Sequence, residues 1–249
     1  MRIFLFKLFF SCYALKVLAQ DVIFLPYYSL TFPTKTFQQT LPPQTFGLGI
    51  GSSLGISLGY ESSFFAGADI NYNIYGKTVV DNAEKRKVAR HKYDPLTDTY
   101  VTDSVMEDVD FIINNNILTT NLFLRWRPQW KTKIVPYLDI FGGGIYLYTR
   151  SKLRADAFNQ LNKNTYASSL TYSYGFGAGL NIMLGKSFGI DAEVKYTQGG
   201  RAKFIAKEDI TLITKKDANG NEYTTFEYRT RHAPITMITG NIGFVFYFE

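Results

Sequence analysis

His91 and His232 are the chain's two imidazoles, so acid–base or nucleophilic chemistry has to be sought around them. Ser104 and Asp94 lie near His91 in sequence and supply the other parts of a Ser–His–Asp set, in which the imidazole takes a hydroxyl proton and the carboxylate orients the ring. Their spacing matches no recognisable nucleophile motif, and a surface histidine in a loop is more often inert. Cys12 is the single cysteine. It falls in an N-terminal stretch read below as removed, so no disulfide, thiolate zinc site or cysteine nucleophile is expected. There is no Gly-rich phosphate loop, no paired zinc ligands and no basic stripe for nucleic acid. The expectation is no catalytic residue, no cofactor, no metal and no nucleic-acid partner.

The remaining chemistry-bearing residues are charges, and they fall into three sets. Asp69, Asp139, Asp191, Glu193, Arg125, Arg127 and Lys195 are isolated at alternate positions inside apolar runs. Lys85, Arg86, Lys87, Arg90, His91 and Lys92 form a basic cluster, followed by Asp94, Asp98, Asp103, Glu107, Asp108 and Asp110. The basic part suits phosphate oxygens through charge-assisted hydrogen bonds, and the acidic part suits a divalent cation, although no EF-hand spacing is present. The competing reading is a soluble hairpin laced with ion pairs. The third set, from Arg201 to Arg231, reads as strand extensions around Asp217-Ala218-Asn219-Gly220-Asn221, a hairpin-turn signal. Such a projection is structural or binds a neighbouring protein.

Composition limits what can hold these groups in place. Of 249 residues only 19% are charged, whereas 16% are aromatic. That is less charge than an ordinary soluble domain carries, and a mean hydropathy of −0.09 suits neither a polytopic helical membrane protein nor a disordered chain. Residues 1–19 read as a cleaved signal: Met1-Arg2, an apolar stretch from Ile3, and Val17-Leu18-Ala19 before Gln20. Losing Arg2, Lys7 and Lys16 takes the 27 basic residues to 24 against 21 acidic ones, so half of the formal +6 belongs to the signal. Residues 20–249 are then one domain.

From Phe46 onwards the dominant period is two, the period of a strand whose faces meet different surroundings. Leu48, Ile50, Leu54, Ile56, Leu58 and Tyr60 alternate with glycines and serines. The same pattern recurs around Phe64–Ile74, Leu118–Trp126, Leu138–Tyr148, Leu170–Leu184, Phe188–Tyr196 and Ile238–Phe248. Short turns near 61–63, 128–133 and 185–187 alternate with long, charged links near 81–109, 151–166 and 199–233. Seven strands are counted this way. An even number requires one more before Phe46, placed within Val22–Phe37 and starting near Tyr27, because Pro26 removes a ladder hydrogen bond.

A soluble sandwich would also alternate, but its solvent face would be charged. Here the non-apolar face holds Gly, Ser, Asn, Thr and a few charges, which suits the interior of a narrow closed barrel with lipid outside. Odd positions then face inward. The charged set becomes a salt-bridged plug with Asn71, Asn73, Asn181 and Asn241, and little open pore is left. Outward aromatics cluster at strand ends, as belts at the two membrane interfaces require.

The chain resembles small eight-stranded bacterial outer-membrane β-barrel proteins. The resemblance rests on Asn241-Ile242-Gly243-Phe244-Val245-Phe246-Tyr247-Phe248, which is similar to the family's C-terminal insertion signal, although Glu249 follows it. Pro136-Tyr137-Leu138-Asp139 with Gly142-Gly143-Gly144 resembles a strand of the Bacteroidetes type. The resemblance implies an all-β, closed antiparallel up-and-down barrel in the bacterial outer membrane, inserted by the barrel assembly machinery and surrounded by outer-membrane lipids including lipopolysaccharide. Enzymes of this fold need a His with Ser, Asp or Asn near the outer rim, and His232-Ala233-Pro234 lacks the His-x-Ser pattern of a lipid deacylase. The expected function is that of a non-enzymatic structural or interaction subunit, acting through external loops or the lipid-facing wall in a larger outer-membrane complex. A small-solute channel and, behind it, a lipid-modifying enzyme are the alternatives.

Overall fold

Alternating small and large side chains along a strand leave its two faces unequal, and a sheet with such faces closes on itself when both edges find partners. The computed structural model describes residues 21–34, 37, 46–59, 62–94, 99–130, 132–155, 158–205, 210–216 and 222–248. Residues 1–19, read above as a cleaved signal and including Cys12, as well as Glu249 and residues 217–221, read above as a turn, lie outside these residues. The strands are β1 (Val22–Pro33), β2 (Gly47–Ser57), β3 (Phe64–Asp94), β4 (Thr99–Trp126), β5 (Ile134–Ala155), β6 (Phe158–Met183), β7 (Phe188–Phe204), β8 (Ile210–Lys216), β9 (Glu222–Tyr228) and β10 (Arg231–Phe248). Eight of them form a closed antiparallel barrel in the order β1-β10-β7-β6-β5-β4-β3-β2, and β8 and β9 form a two-stranded sheet. Closure runs through β1 and β10, from Val22↔Phe248 to Pro33↔Met237.

The polarity is that of a soluble protein turned inside out. Leu122 is 71% exposed and Leu170 76%, whereas Arg125 is 2% exposed and Asp191 1%. In water such a wall would forfeit about 1.5–3 kcal/mol for each large apolar side chain left uncovered; in hydrocarbon the same exposure is favourable. Closure also satisfies the backbone groups that lipid cannot. Aromatics mark the rims: Phe64, Trp126 and Phe248 at the end of the short turns, Tyr172 and Tyr174 towards the long hairpins.

Two sequence expectations change. The first strand begins at Val22, not Tyr27. Pro26 is accommodated because it still pairs with Ser52 of β2, while the β1–β10 ladder skips Leu25 and Pro26 and resumes in unchanged register at Tyr27↔Gly243. The missing N–H is thus confined to one step of one seam. Second, the links near 81–109 and 151–166 are not loops. The β3–β4 ladder continues to Asp94↔Thr99 and the β5–β6 ladder to Ala155↔Phe158. Beyond the membrane neither lipid nor lumen imposes alternation, yet backbone groups still need partners, so strands persist without their period-two signature. The strand extensions expected between Arg201 and Arg231 are present: β7 reaches Phe204, β10 starts at Arg231, and β8–β9 form a separate ribbon between them that flanks residues 217–221.

Candidate functional site

The residues with the greatest chemical potential converge in the middle of the lumen, at inward positions of all eight barrel strands. Arg125 on β4 donates from Nε and Nη2 to the two carboxylate oxygens of Asp139 on β5, both at 2.8 Å. Its Nη2 lies 3.6 Å from Glu193 on β7. The guanidinium plane stacks 3.7 Å from the centroid of the Tyr137 ring, which combines a bidentate ion pair with a cation–π contact. Lys195, also on β7, bridges Asp69 of β3 at 3.1 Å and Glu193 at 3.2 Å. The Tyr27 and Ser53 hydroxyls donate to Asp69 at 2.6 and 2.8 Å. Asn241 of β10 donates to Glu193 at 2.9 Å. Asp191 accepts from Tyr137 Oη at 2.8 Å and Asn181 Nδ2 at 2.6 Å. These groups are buried, so attraction is little screened and an unpaired member would be costly.

Above this belt lies a neutral polar layer. Ser29 donates to Asn71 and Asn73 at 3.0 and 2.9 Å, Thr31 donates to Asn73 at 3.1 Å, and the Thr31 and Thr239 hydroxyls are 3.1 Å apart. The expected plug of charges and asparagines is therefore present. Arg127 departs from it: it is half-buried towards the short turns, with its guanidinium 4.7 Å from the Tyr247 ring centroid and no ion pair among the described residues.

What sequence reasoning missed is that the plug is capped at both ends by apolar clusters. Ile23, Leu25, Phe65 and Val245, with Met183 and Tyr247, close the short-turn end. Phe37, Tyr75, Ile117, Ile145, Leu147, Ala202, Ala233, Ile235 and Met237 close the other. Phe37 comes from the β1–β2 connection and meets Tyr75 edge-on, centroids 6.4 Å apart at 63°. The signal was a local loss of alternation: Val22-Ile23-Phe24-Leu25, Ile117-Leu118 and Ile145-Tyr146-Leu147-Tyr148 are apolar on both faces because one faces lipid and the other a cap.

Neither histidine lies on the lumen-belt stretches of the strands. Register sets His91 opposite Thr102, Ser104 opposite Ala89 and Asp94 opposite Thr99, spread along the outer β3–β4 hairpin. His232 is exposed and pairs with Lys203. In the same hairpin, Lys85 is registered with Asp108, Arg86 with Glu107 and Arg90 with Asp103, the cross-strand order of the ion-paired hairpin reading. Among the described residues no group of His, Cys, Asp and Glu could hold a metal ion.

No protein-family model matches the chain, and no curated protein matches it. Solved structures do resemble it. A major outer membrane protein from Thermus thermophilus is 11% identical, with 92% of this chain and 99% of that one covered at a TM-score of 0.44. Ail, the attachment invasion locus protein of Yersinia pestis, is 11% identical over 92% and 98%, TM-score 0.38. The outer membrane protease OmpT from Escherichia coli is 6% identical over 92% and 97%, TM-score 0.40. Likenesses this distant do not choose among roles, and the setting rests on the barrel's own surfaces. A closed antiparallel barrel with an apolar wall and a polar, filled interior is how strands cross a bilayer, and the chain is a closed eight-stranded antiparallel barrel of that build.

Proposed function

We propose that this protein is a non-enzymatic outer-membrane barrel that offers surface instead of a passage. It acts as a structural or interaction subunit, through its long external hairpins or its lipid-facing wall, within a larger outer-membrane assembly. The observation that carries this reading is the lumen: a belt of paired charges drawn from four strands, sealed by an apolar cap at each end. A narrow eight-stranded barrel has little interior left once side chains fill it. A hydrated path would also have to displace two dry caps and separate ion pairs whose partners are buried. By the same reading the short turns, the start of β1 and the end of β10 face the periplasm, the long hairpins face outward, and the barrel assembly machinery recognises β10.

The test is a planar-bilayer recording of the purified, folded barrel. Silence is expected, apart from brief events; a large, steady conductance overturns the sealed-lumen reading and favours a channel. Pulldown in mild detergent from native membranes, followed by mass spectrometry, tests the assembly. Repeated recovery as a lone monomer counts against it.

A further inference from the structure

Above the apolar wall, the outer face of β7 and β10 changes character within one turn of the ladder. Outward positions on β7 run Phe188, Ile190, Ala192, Val194, Tyr196 and Gln198, a stretch long enough to cross hydrocarbon, for which roughly 9–11 tilted residues suffice. Next come Arg201 and Lys203, both exposed. Cross-strand from them on β10 are Pro234 and His232, and His232 is exposed as well.

These cations face outward only because of a β-bulge. Between Thr236↔Gln198 and Pro234↔Arg201, β7 carries one residue more than β10. Below that point the odd positions Asp191, Glu193, Lys195 and Thr197 face the lumen. Above it Ala202 fills the apolar cap at 1% exposure, and Arg201 and Lys203 are swung to the outside. Bulges re-aim side chains in this way. Gly199 and Gly200 occupy the bulge, and a Cβ on Gly200 would run into the Thr171 hydroxyl. A cation directly opposite a second basic side chain weakens a ladder unless an anion joins them. Among the described residues Arg201, Lys203 and His232 have no carboxylate partner.

We propose that Arg201, Lys203 and His232 bind the phosphate of a lipid A-type glycolipid in the outer leaflet. The apolar wall is continuous beneath them, with the stacked pair Tyr172 and Tyr174 beside the bulge. A ligand with acyl chains below and a phosphate at their upper boundary fits both surfaces; a soluble acidic protein would leave the wall unused. Arg supplies a planar fork for phosphate oxygens, Lys a point charge and His an N–H donor. The proposal rests on the orientation given above, in which the long hairpins are external.

The full chain, folded in detergent, is titrated with bisphosphorylated lipid A and with fully dephosphorylated lipid A by native mass spectrometry. Three proteins are compared: wild type, Arg201→Gln/Lys203→Gln/His232→Gln, and Lys215→Gln on the outer ribbon. The expected result is at least a tenfold loss of affinity in the triple variant for the phosphorylated lipid alone, with Lys215→Gln unchanged. Equal binding by the triple variant, or equal wild-type affinity for both lipids, overturns the proposal. So does displacement by inorganic phosphate at matched concentration, or tighter binding of an acidic peptide. Heat-modifiable migration on gels checks folding. Should the triple variant misfold, a wild-type salt series decides: affinity must fall as NaCl rises, and salt-independent binding overturns the site. Labelling of Lys203→Cys on intact cells by a membrane-impermeant maleimide tests orientation separately, so a reversed barrel is distinguished from an external patch that ignores phosphate.

Discussion

Lys195 and Lys203 stand on the same strand, an even number of residues apart, and an unbroken strand would aim both at the lumen. Lys195 is buried between Asp69 and Glu193, whereas Lys203 is exposed opposite His232. One extra residue at Gly199-Gly200 separates the two fates. Below the bulge a cation completes a closed network and ties β7 to β3 across the lumen; above it, a cation of the same type is left to meet the surroundings. The difference shows that in a barrel wall the number of residues between two positions decides their roles only while the ladder is regular.

The comparison can be broken most forcefully from the lumen side. Lys195→Met, or Arg125→Ala, leaves buried carboxylates without their partner, and about 3–5 kcal/mol of stability should be lost, read by urea unfolding in vesicles and by the heat needed to shift gel migration. A loss below about 1 kcal/mol would mean that the belt is not a coupled network. The bulge comes next. Gly200→Val forces a side chain against Thr171 and Tyr172, and overpacking of this kind should cost about 1–3 kcal/mol. In a Cys12→Ser background, Lys203→Cys should be labelled readily in the folded barrel and Ala202→Cys should not. Labelling in the reverse order would show that alternation continues through Gly199-Gly200 and would remove the basis of the comparison. The smallest effect belongs to the outer cation itself: Lys203→Met should change stability by no more than about 0.5 kcal/mol, as surface substitutions do. A cost near that of Lys195→Met would place Lys203 in a buried network after all.

Much of the barrel was legible in the residues. Alternation around Leu170–Leu184 or Phe188–Tyr196 needs only a sheet with unlike faces, and the inward set Asp69, Asn71, Asn73, Arg125, Asp139, Asn181, Asp191, Glu193, Lys195 and Asn241 follows from parity alone. The two caps were less legible. At Ile145 and Leu147 an apolar inward residue beside an apolar outward one erases the contrast on which a period-two reading depends. The outer hairpins were hidden for the opposite reason: from Lys77 to Asp94 both faces are free to be polar, so paired strands carry the composition of a loop.

By itself, the order of residue types determined that this chain is β, that its strands cross a bilayer, and which side chains a regular strand turns inward. Those properties depend on local periodicity and on the free energy of moving apolar and charged groups between water, lipid and a closed interior. Tertiary structure alone decided which charges meet across the lumen: Arg125 and Asp139 face each other across the β4–β5 hairpin, but Lys195 reaches Asp69 only after strands distant in sequence are set in register. It also decided where alternation fails. A bulge is a mismatch between two strands, Gly199-Gly200 against the step from Pro234 to Thr236, and a mismatch has no existence in either strand alone.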